Sequence, residues 1–309
     1  MIKPKIKSAT AEKLKLSTLK IVESYASQET FLQPLNRSRL PSRETIIAIL
    51  AGVQELIFPG YFGILGLDES NINARTLNLV CSLFDDLVMQ INVCLSLEKQ
   101  NKSISLRHSE AEKAALELIE AIPTIRQELS LDVQAAYVGD PAAHSYDEII
   151  FSYPGLYAIM VYRIAHRLAK LNIPLIPRIM CEHAHSLTGI DIHPDANIGK
   201  SFFIDHGTGV VIGATTDIGN NVKIYQGVTL GALSFPKNED GTLIRGKKRH
   251  PTLEDNVIIY SGATILGGDT VIGENSVIGG NVWLTTSVPP YSKVTIEEPK
   301  TRIKTSINR

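Results

Sequence analysis

The sequence predicts a mixed α and β fold, in which an all-helical N-terminal domain precedes a parallel β-helix. Up to about residue 188, apolar residues recur at three- and four-residue steps, the period of a helix with one buried face. From about residue 190, an aliphatic residue instead recurs at every sixth position. We therefore expect a helical domain (1–188), a β-helix (189–290) with an external loop (233–251), and a C-terminal tail (291–309).

Local signals place individual helices in the first domain. Ser42, just before the segment ETIIAIL, is a suitable N-cap. Pro154 and Gly155 precede an apolar segment that ends in basic residues, which are favourable at a helix C-terminus. A longer helix is indicated by six apolar residues on one face, at Leu77, Val80, Phe84, Leu87, Ile91 and Leu95.

The six-residue repeat defines the second domain. An inward aliphatic at every sixth residue, with turn-forming residues between, is typical of a chain that winds round a triangular prism. Three repeats make one coil, so the thirteen repeats predict a little over four coils. The aliphatic positions are Ile192, Ile198, Ile204, Ile212, Ile218, Ile224, Leu230, Leu253, Ile259, Ile265, Ile272, Ile278 and Leu284.

The repeat slips at three places, and histidines lie beside two of them. Two extra residues separate Ile204 from Ile212, the polar segment 233–251 interrupts the repeat altogether, and one extra residue lies within 267–271. Because the prism needs strict spacing, each slip must leave the coil as a bulge or loop. His206 lies in the first slip, and Arg249 and His250 lie at the base of the loop. We therefore expect a functional site at these slips.

Composition excludes several classes of protein. Thirty-one Lys and Arg balance 32 Asp and Glu, which argues against a nucleic-acid coat. An apolar content of 44% and a charged content of 20% exclude a disordered chain. Cys81, Cys94 and Cys181 form no CxxC pair and indicate reduced thiols. With no secretory signal and no long apolar stretch free of polar breaks, we expect a cytoplasmic protein without a membrane span.

Five motifs together resemble the serine O-acetyltransferases, a family within the hexapeptide-repeat acyltransferases. They are GDPAA (139–143), GIDIHPDANIG (189–199), IDHGTGVVIG (204–213), QGVTLGA (226–232) and RHP (249–251). The resemblance covers residues 139–290, roughly half of the chain. It implies that the β-helix is left-handed. It also implies acetyl transfer from acetyl-CoA to the hydroxyl of L-serine, which gives O-acetylserine for cysteine biosynthesis.

The resemblance also assigns the reacting and acceptor-binding residues. A hydroxyl needs a base to remove its proton, and His206 would be that base, oriented by Asp191. Their separation of fifteen residues is close to the roughly 18 residues of one coil, so the spacing independently predicts that they stack. Asp140 and Asp205 would bind the ammonium group of the acceptor.

The same resemblance gives the remaining contacts. Arg249 and His250 would bind the acceptor's carboxylate. Acetyl-CoA would lie in the groove between coils of two subunits, and no metal is expected. Its pantetheine and thioester would be held by backbone N–H groups of Gly231, Ala232, Ser261 and Gly262.

Three other functions remain open from the sequence. The first is a hexapeptide acyltransferase that acts on a sugar or xenobiotic hydroxyl, although the long helical domain and the Asp140 motif argue against it. The second is a zinc carbonic anhydrase of the same β-helix type, although no HxxxxH pair lies between His183 and His250. The third is a non-catalytic scaffold, which gives no reason for Asp191 and His206 at a repeat slip.

The coils have open edges and shared sites, so we expect at least a homotrimer. The resemblance implies that helical domains can join two trimers into a hexamer. It also implies that cysteine can inhibit by occupying the acceptor site. Many members bind O-acetylserine sulfhydrylase through a tail that ends in isoleucine. This sequence ends TRIKTSINR, so we do not expect that complex.

Overall fold

The computed structural model describes residues 8–25, 40–63, 66–98, 103–234, 237–244 and 246–297. The chain forms two compact units, residues 1–40 and 41–309. The first unit contains helix α1 (Ser8–Tyr25). All other described elements belong to the second unit.

Six helices are described in the first part of the second unit, and serine side chains begin three of them. Ser42, Ser103 and Ser145 each accept a hydrogen bond from a backbone N–H three residues further on, which confirms the predicted cap at Ser42. The helices are α2 (Arg43–Ile57), α3 (Ile72–Glu98), α4 (Ile104–Gly139), α5 (Tyr146–Ser152), α6 (Pro154–Lys170) and α7 (Ile176–Thr188).

Helix α3 is the one described helix that is long and apolar enough to cross a membrane by length and composition. It packs against α2 and α4. Leu87, Ile91 and Leu95 are fully buried there, as the apolar stripe predicts, whereas Leu77 of the same stripe is 62% exposed. One side of α3 therefore contributes to the protein core.

Fourteen short strands in the described residues form three parallel sheets that wind round a common core. Their orders are β1-β4-β7-β10-β13, β2-β5-β8-β11 and β3-β6-β9-β12-β14, so each of the first four coils contributes one strand to each sheet. All thirteen predicted aliphatic positions fall in strands, and eleven of them are buried. The strands are β1 (Asp191–Ile192), β2 (Asn197–Ile198), β3 (Phe203–Asp205), β4 (Val211–Ile212), β5 (Asp217–Ile218), β6 (Lys223–Tyr225), β7 (Thr229–Gly231), β8 (Thr252–Leu253), β9 (Ile258–Ile259), β10 (Thr264–Leu266), β11 (Val271–Ile272), β12 (Val277–Ile278), β13 (Trp283–Leu284) and β14 (Lys293–Val294).

The structure departs from the predicted domain division in two respects. Helices α2 to α7 and the β-helix form one compact unit, because they share a continuous core. Strand β14 pairs with β12, so the β-helix continues into the segment predicted as a tail. The rest of that tail, residues 298–309, lies outside the described residues. The predicted loop leaves the coil after β7 and returns at β8.

A buried ion pair connects the helices to the β-helix. Arg163 of α6 donates two hydrogen bonds to the Asp132 carboxylate of α4, at 2.7 and 2.9 Å. Arg163 also donates to the Gly199 carbonyl, and Asp132 accepts from the Phe202 N–H, each at 2.9 Å. These backbone partners belong to the first coil. The pair therefore fixes α4 and α6 against the start of the β-helix.

Replacing Arg163 tests this connection. In the Arg163→Met variant, Asp132 loses its cation while it remains buried, so we expect a loss of about 3–5 kcal/mol in the free energy of unfolding. Urea denaturation measures that loss. The matched control is Arg167→Met, because Arg167 lies one turn further along α6 and pairs with Glu128 at a half-exposed position. Equal losses in the two variants would contradict the role given to the buried pair.

Candidate active site

His206 lies at a corner of the first coil, directly after β3. Its backbone has φ of +59°, in the left-handed region, so the chain turns sharply out of the strand at this residue. Gly207 follows with φ of +90°, and its N–H donates to the Asp205 carbonyl at 2.7 Å. The His206 side chain is 73% exposed. The predicted slip thus presents an accessible imidazole at the surface.

Two carboxylates lie near this imidazole. One oxygen of Asp205 is 3.7 Å from His206 Nε2. Asp140, which directly follows α4, accepts hydrogen bonds from the Tyr153 hydroxyl at 2.6 Å and the Ala142 N–H at 2.8 Å. These two bonds, with smaller effects of the nearby Lys223 and His206, lower the pKa of the Asp140 carboxyl. The structure therefore brings Asp140, Asp205 and His206 together, with Asp140 held as a carboxylate.

Sequence reasoning missed two residues of this cluster. Tyr153 precedes α6 and supplies the hydroxyl bonded to Asp140. Lys223 begins β6, and its ammonium donates to the Gly139 carbonyl at 2.6 Å and lies 3.6 Å from Asp205. Neither residue lies in one of the five motifs that suggested a functional role. Only the pairing of Phe203 with Lys223 in neighbouring coils shows that Lys223 reaches Asp205.

Asp191 does not stack on His206, in contrast to the expectation from their spacing. Asp191 pairs with Val211, twenty residues further on, because the extra residues of the slip lengthen this coil. Its carboxylate lies within 4.8 Å of Glu182 and His185 side-chain atoms in α7. These three groups could approach a metal ion, but Glu182 is already paired with Arg178. Within the described part of the chain, no hydrogen bond or ion pair joins Asp191 to His206.

His250 is buried and electrically neutral. Its Nδ1 accepts a hydrogen bond from the Thr215 N–H at 3.0 Å, so the proton of the neutral ring resides on Nε2. Burial, with a smaller effect of the Arg249 charge, lowers the pKa of His250 to about 4. Of the two residues expected to bind a carboxylate, Arg249 is therefore the one that carries a charge, whereas the ring of His250 is neutral.

Arg249 borders an open cavity of about 760 Å³ beside the external loop. His193, Thr215 and Lys248 also line this cavity. Thr215 follows β4, whereas His206 precedes it. The Arg249–His250 group and the Asp140–Asp205–His206 group therefore lie at opposite ends of one face of the prism. Among the described residues, no hydrogen bond or ion pair joins the two groups.

The backbone groups expected to hold acetyl-CoA are also separated. Gly231 ends strand β7 and Ala232 follows it, whereas Ser261 and Gly262 precede β10, at the other end of the strands in this sheet. The Gly262 N–H donates to the Gln226 carbonyl of the preceding coil at 2.9 Å. That N–H joins neighbouring coils and is not available to a ligand, which corrects the expectation for Gly262.

Comparisons with known proteins identify the family. The chain is 49% identical over 257 residues to the plasmid serine acetyltransferase of Synechococcus elongatus, covering 81% of this chain and 80% of that relative. The crystal structure of Entamoeba histolytica serine acetyltransferase 1 with L-cysteine has a TM-score of 0.70 at 34% identity, covering 93% of this chain and 96% of that one. The chain belongs to the serine acetyltransferase family. No protein-family model matches it.

A second solved structure extends the comparison. The Neisseria gonorrhoeae serine acetyltransferase in complex with serine has a TM-score of 0.52 at 25% identity, covering 81% of this chain and 97% of that one. The predicted fold class, a helical region followed by a left-handed parallel β-helix, is confirmed, and so is the assignment as a serine acetyltransferase. Serine acetyltransferases are acyltransferases, so membership of this family excludes the carbonic anhydrase and scaffold alternatives.

The neutral state of His250 predicts a pH dependence of stability. The pKa of about 4 in the folded protein is below the ordinary value of 6.5. The contribution of the neutral His250 ring to the free energy of unfolding is therefore complete above pH 6.5. It declines as the pH falls toward 4, because the unfolded chain binds the proton first. The amide oxygen of an asparagine at this position can still accept from Thr215. We expect His250→Asn to remove about 2–3 kcal/mol of the decline in the free energy of unfolding. Thermal unfolding across that pH range measures the difference.

His108→Asn is the matched control, since His108 lies on the exposed surface of α4. A His250→Asn variant with the same pH dependence as the wild type would contradict a buried neutral imidazole.

Proposed function

We propose that His206 is the general base for acetyl transfer from acetyl-CoA to the hydroxyl of L-serine. The imidazole takes the hydroxyl proton while the serine oxygen attacks the thioester carbonyl. The carbon–sulfur bond then breaks, and the imidazolium returns the proton to the departing CoA thiolate. The products are O-acetylserine, a precursor in cysteine biosynthesis, and CoA. The single observation that supports this role most directly is the exposed imidazole beside Asp140 and Asp205.

We propose that Asp140 and Asp205 bind the serine ammonium. The Tyr153 hydroxyl and the Ala142 N–H favour the ionised form of Asp140. Asp205 lies next to His206 in the chain and in space. An ammonium bound between these carboxylates would hold the serine hydroxyl within reach of the imidazole.

We propose that the site is completed by a second copy of the chain, in a homotrimer. The ammonium and carboxylate of L-serine are attached to the same carbon atom, so their binding groups must lie close together. In one protomer, Asp205 and Arg249 lie at opposite ends of a prism face. Arg249 and the neutral N–H of His250 would therefore come from the neighbouring protomer, and Asp191 would reach His206 in the same way.

The remaining expectations stay predictions. Acetyl-CoA would occupy the groove between two protomers, beside Gly231, Ala232 and Ser261. Association of two trimers into a hexamer rests on the family resemblance alone. The Entamoeba relative was crystallised with L-cysteine, and we propose that cysteine competes for the serine site here. All three cysteines are free, which supports a cytoplasmic location. The residues expected to decide binding to O-acetylserine sulfhydrylase lie outside the described ones.

Removal of the base tests the proposed mechanism. We expect His206→Ala to lower kcat about 10²- to 10⁴-fold with L-serine, because the hydroxyl then keeps its proton as it attacks. Initial rates of CoA release measure this, with L-homoserine and sugars as alternative acceptors and His108→Ala as the control variant. A His206→Ala enzyme with near wild-type kcat would refute the assignment, and faster turnover of a sugar would refute L-serine as the acceptor.

Mixed oligomers test whether the site is shared. His206→Ala and Arg249→Ala homo-oligomers should both be impaired. When the two variants are co-expressed, about one quarter of the sites would combine an intact His206 with an intact Arg249 from the neighbour. We therefore expect activity to recover to about one quarter of wild type. Co-expression of His206→Ala with Asp191→Asn tests in the same way whether Asp191 comes from the neighbouring protomer. No recovery would show that the residues act within one chain.

A further inference from the structure

Lys223 lies inside the cluster that contains the proposed ammonium subsite. It is the first residue of β6 and pairs in register with Phe203 of β3. Its side chain is only 16% exposed. The ammonium donates to the Gly139 carbonyl at 2.6 Å and lies 3.6 Å from Asp205 Oδ2. It also lies over two aromatic rings, 5.0 Å from the centre of Phe203 and 4.5 Å from that of Tyr225.

Each of these neighbours stabilises a positive charge. A carboxylate, a carbonyl oxygen and the faces of two aromatic rings all attract an ammonium. Holding a lysine in one such arrangement costs side-chain entropy and part of its hydration. A surface lysine without a specific role avoids those costs by extending into water. The contacts of Lys223 are therefore those of a cation fixed at a defined position.

That position connects the two proposed ammonium ligands. Gly139 is the last residue of α4, and the next residue is Asp140. The hydrogen bond from Lys223 thus fixes the backbone immediately before Asp140. The same ammonium faces Oδ2 of Asp205, whereas Oδ1 of Asp205 faces His206. Lys223 therefore holds Asp205 from one side and leaves its other oxygen toward the imidazole.

We propose that Lys223 is a positioning residue that aligns Asp140 and Asp205 on the acceptor's ammonium, and so determines selectivity for an α-amino alcohol. This inference rests on the proposed ammonium subsite. Without the lysine charge, two neighbouring carboxylates would repel each other and would no longer be fixed relative to the end of α4. With it, the three groups together carry one net negative charge, which matches a single ammonium.

The test compares L-serine with 3-hydroxypropionate, which has the same hydroxyl and carboxylate but no ammonium. In Lys223→Met, we expect the KM for L-serine to rise about 10-fold, with kcat within about two-fold of wild type. The KM for acetyl-CoA should not change. The ratio of kcat/KM for L-serine to that for 3-hydroxypropionate should fall about 10-fold. Lys223→Arg should restore most of the ratio, because it keeps the cation.

Two further variants make the result decisive. Lys223→Gln can still donate to the Gly139 carbonyl without a charge, and it should lose selectivity as Lys223→Met does. Lys293→Met is the matched control, because Lys293 is an exposed residue that begins β14 in the same sheet. It should leave both acceptors unaffected.

The possible outcomes separate this inference from the proposed subsite. An unchanged or lower KM for L-serine in Lys223→Met, together with a raised KM in Asp205→Asn, would overturn the role of Lys223 and leave the subsite intact. An equal loss with both acceptors would mean that Lys223 is merely structural, which also overturns the inference. If Asp140→Asn and Asp205→Asn both leave selectivity unchanged, the ammonium subsite itself is wrong.

Discussion

Stacking of successive coils in register is the constraint on which the rest of the structure depends. Ile204, Ile224 and Ile259 lie side by side in neighbouring strands, and each of them is buried. Apolar area removed from water stabilises this column, whereas an unpaired polar side chain there would lose its hydration. Reactive polar side chains are therefore excluded from this buried column. Reactive side chains are confined to the outward positions, the corners and the slips, and His206 occupies a corner created by a slip.

The helical region completes the site because it comes unusually close to this first coil. A side chain at Gly155 of α6 would overlap the Ile204 carbonyl, since the added Cβ would lie 2.4 Å from that oxygen. A Cβ added at Gly139, at the end of α4, would likewise lie only 2.9 Å from the Phe203 ring. The absence of a side chain at these two glycines thus lets α4 and α6 approach β3. The pair of Arg163 and Asp132 fixes the two helices in that position. This approach places Asp140 and Tyr153 beside Asp205, so the buried ion pair supports the geometry of a site that it does not touch.

The sequence predicts those features that depend on local periodicity and misses those that depend on which coil lies next to which. The six-residue spacing locates thirteen of the fourteen described strands, because each inward aliphatic is decided by its own neighbours in the chain. The same spacing fails for Asp191, since two extra residues after Ile204 change its neighbour to Val211. The sequence does not reveal the role of Lys223, because Lys223 contacts Asp205 from the neighbouring coil. The neutral state of His250 follows chiefly from burial, which is not visible in the motif RHP.

Charge in the proposed shared site fits a zwitterion better than the motifs alone suggest. The motifs offer two carboxylates for the ammonium, and Arg249 and His250 for the carboxylate of serine. Lys223 compensates one of the two carboxylates, and His250 is neutral. In the proposed site, one net negative charge would face the ammonium, and one positive charge, that of Arg249, would face the carboxylate. These binding groups together would be neutral, as L-serine is. The charge of Asp191 would then remain to stabilise the imidazolium that forms on His206 only while the proton is in transfer.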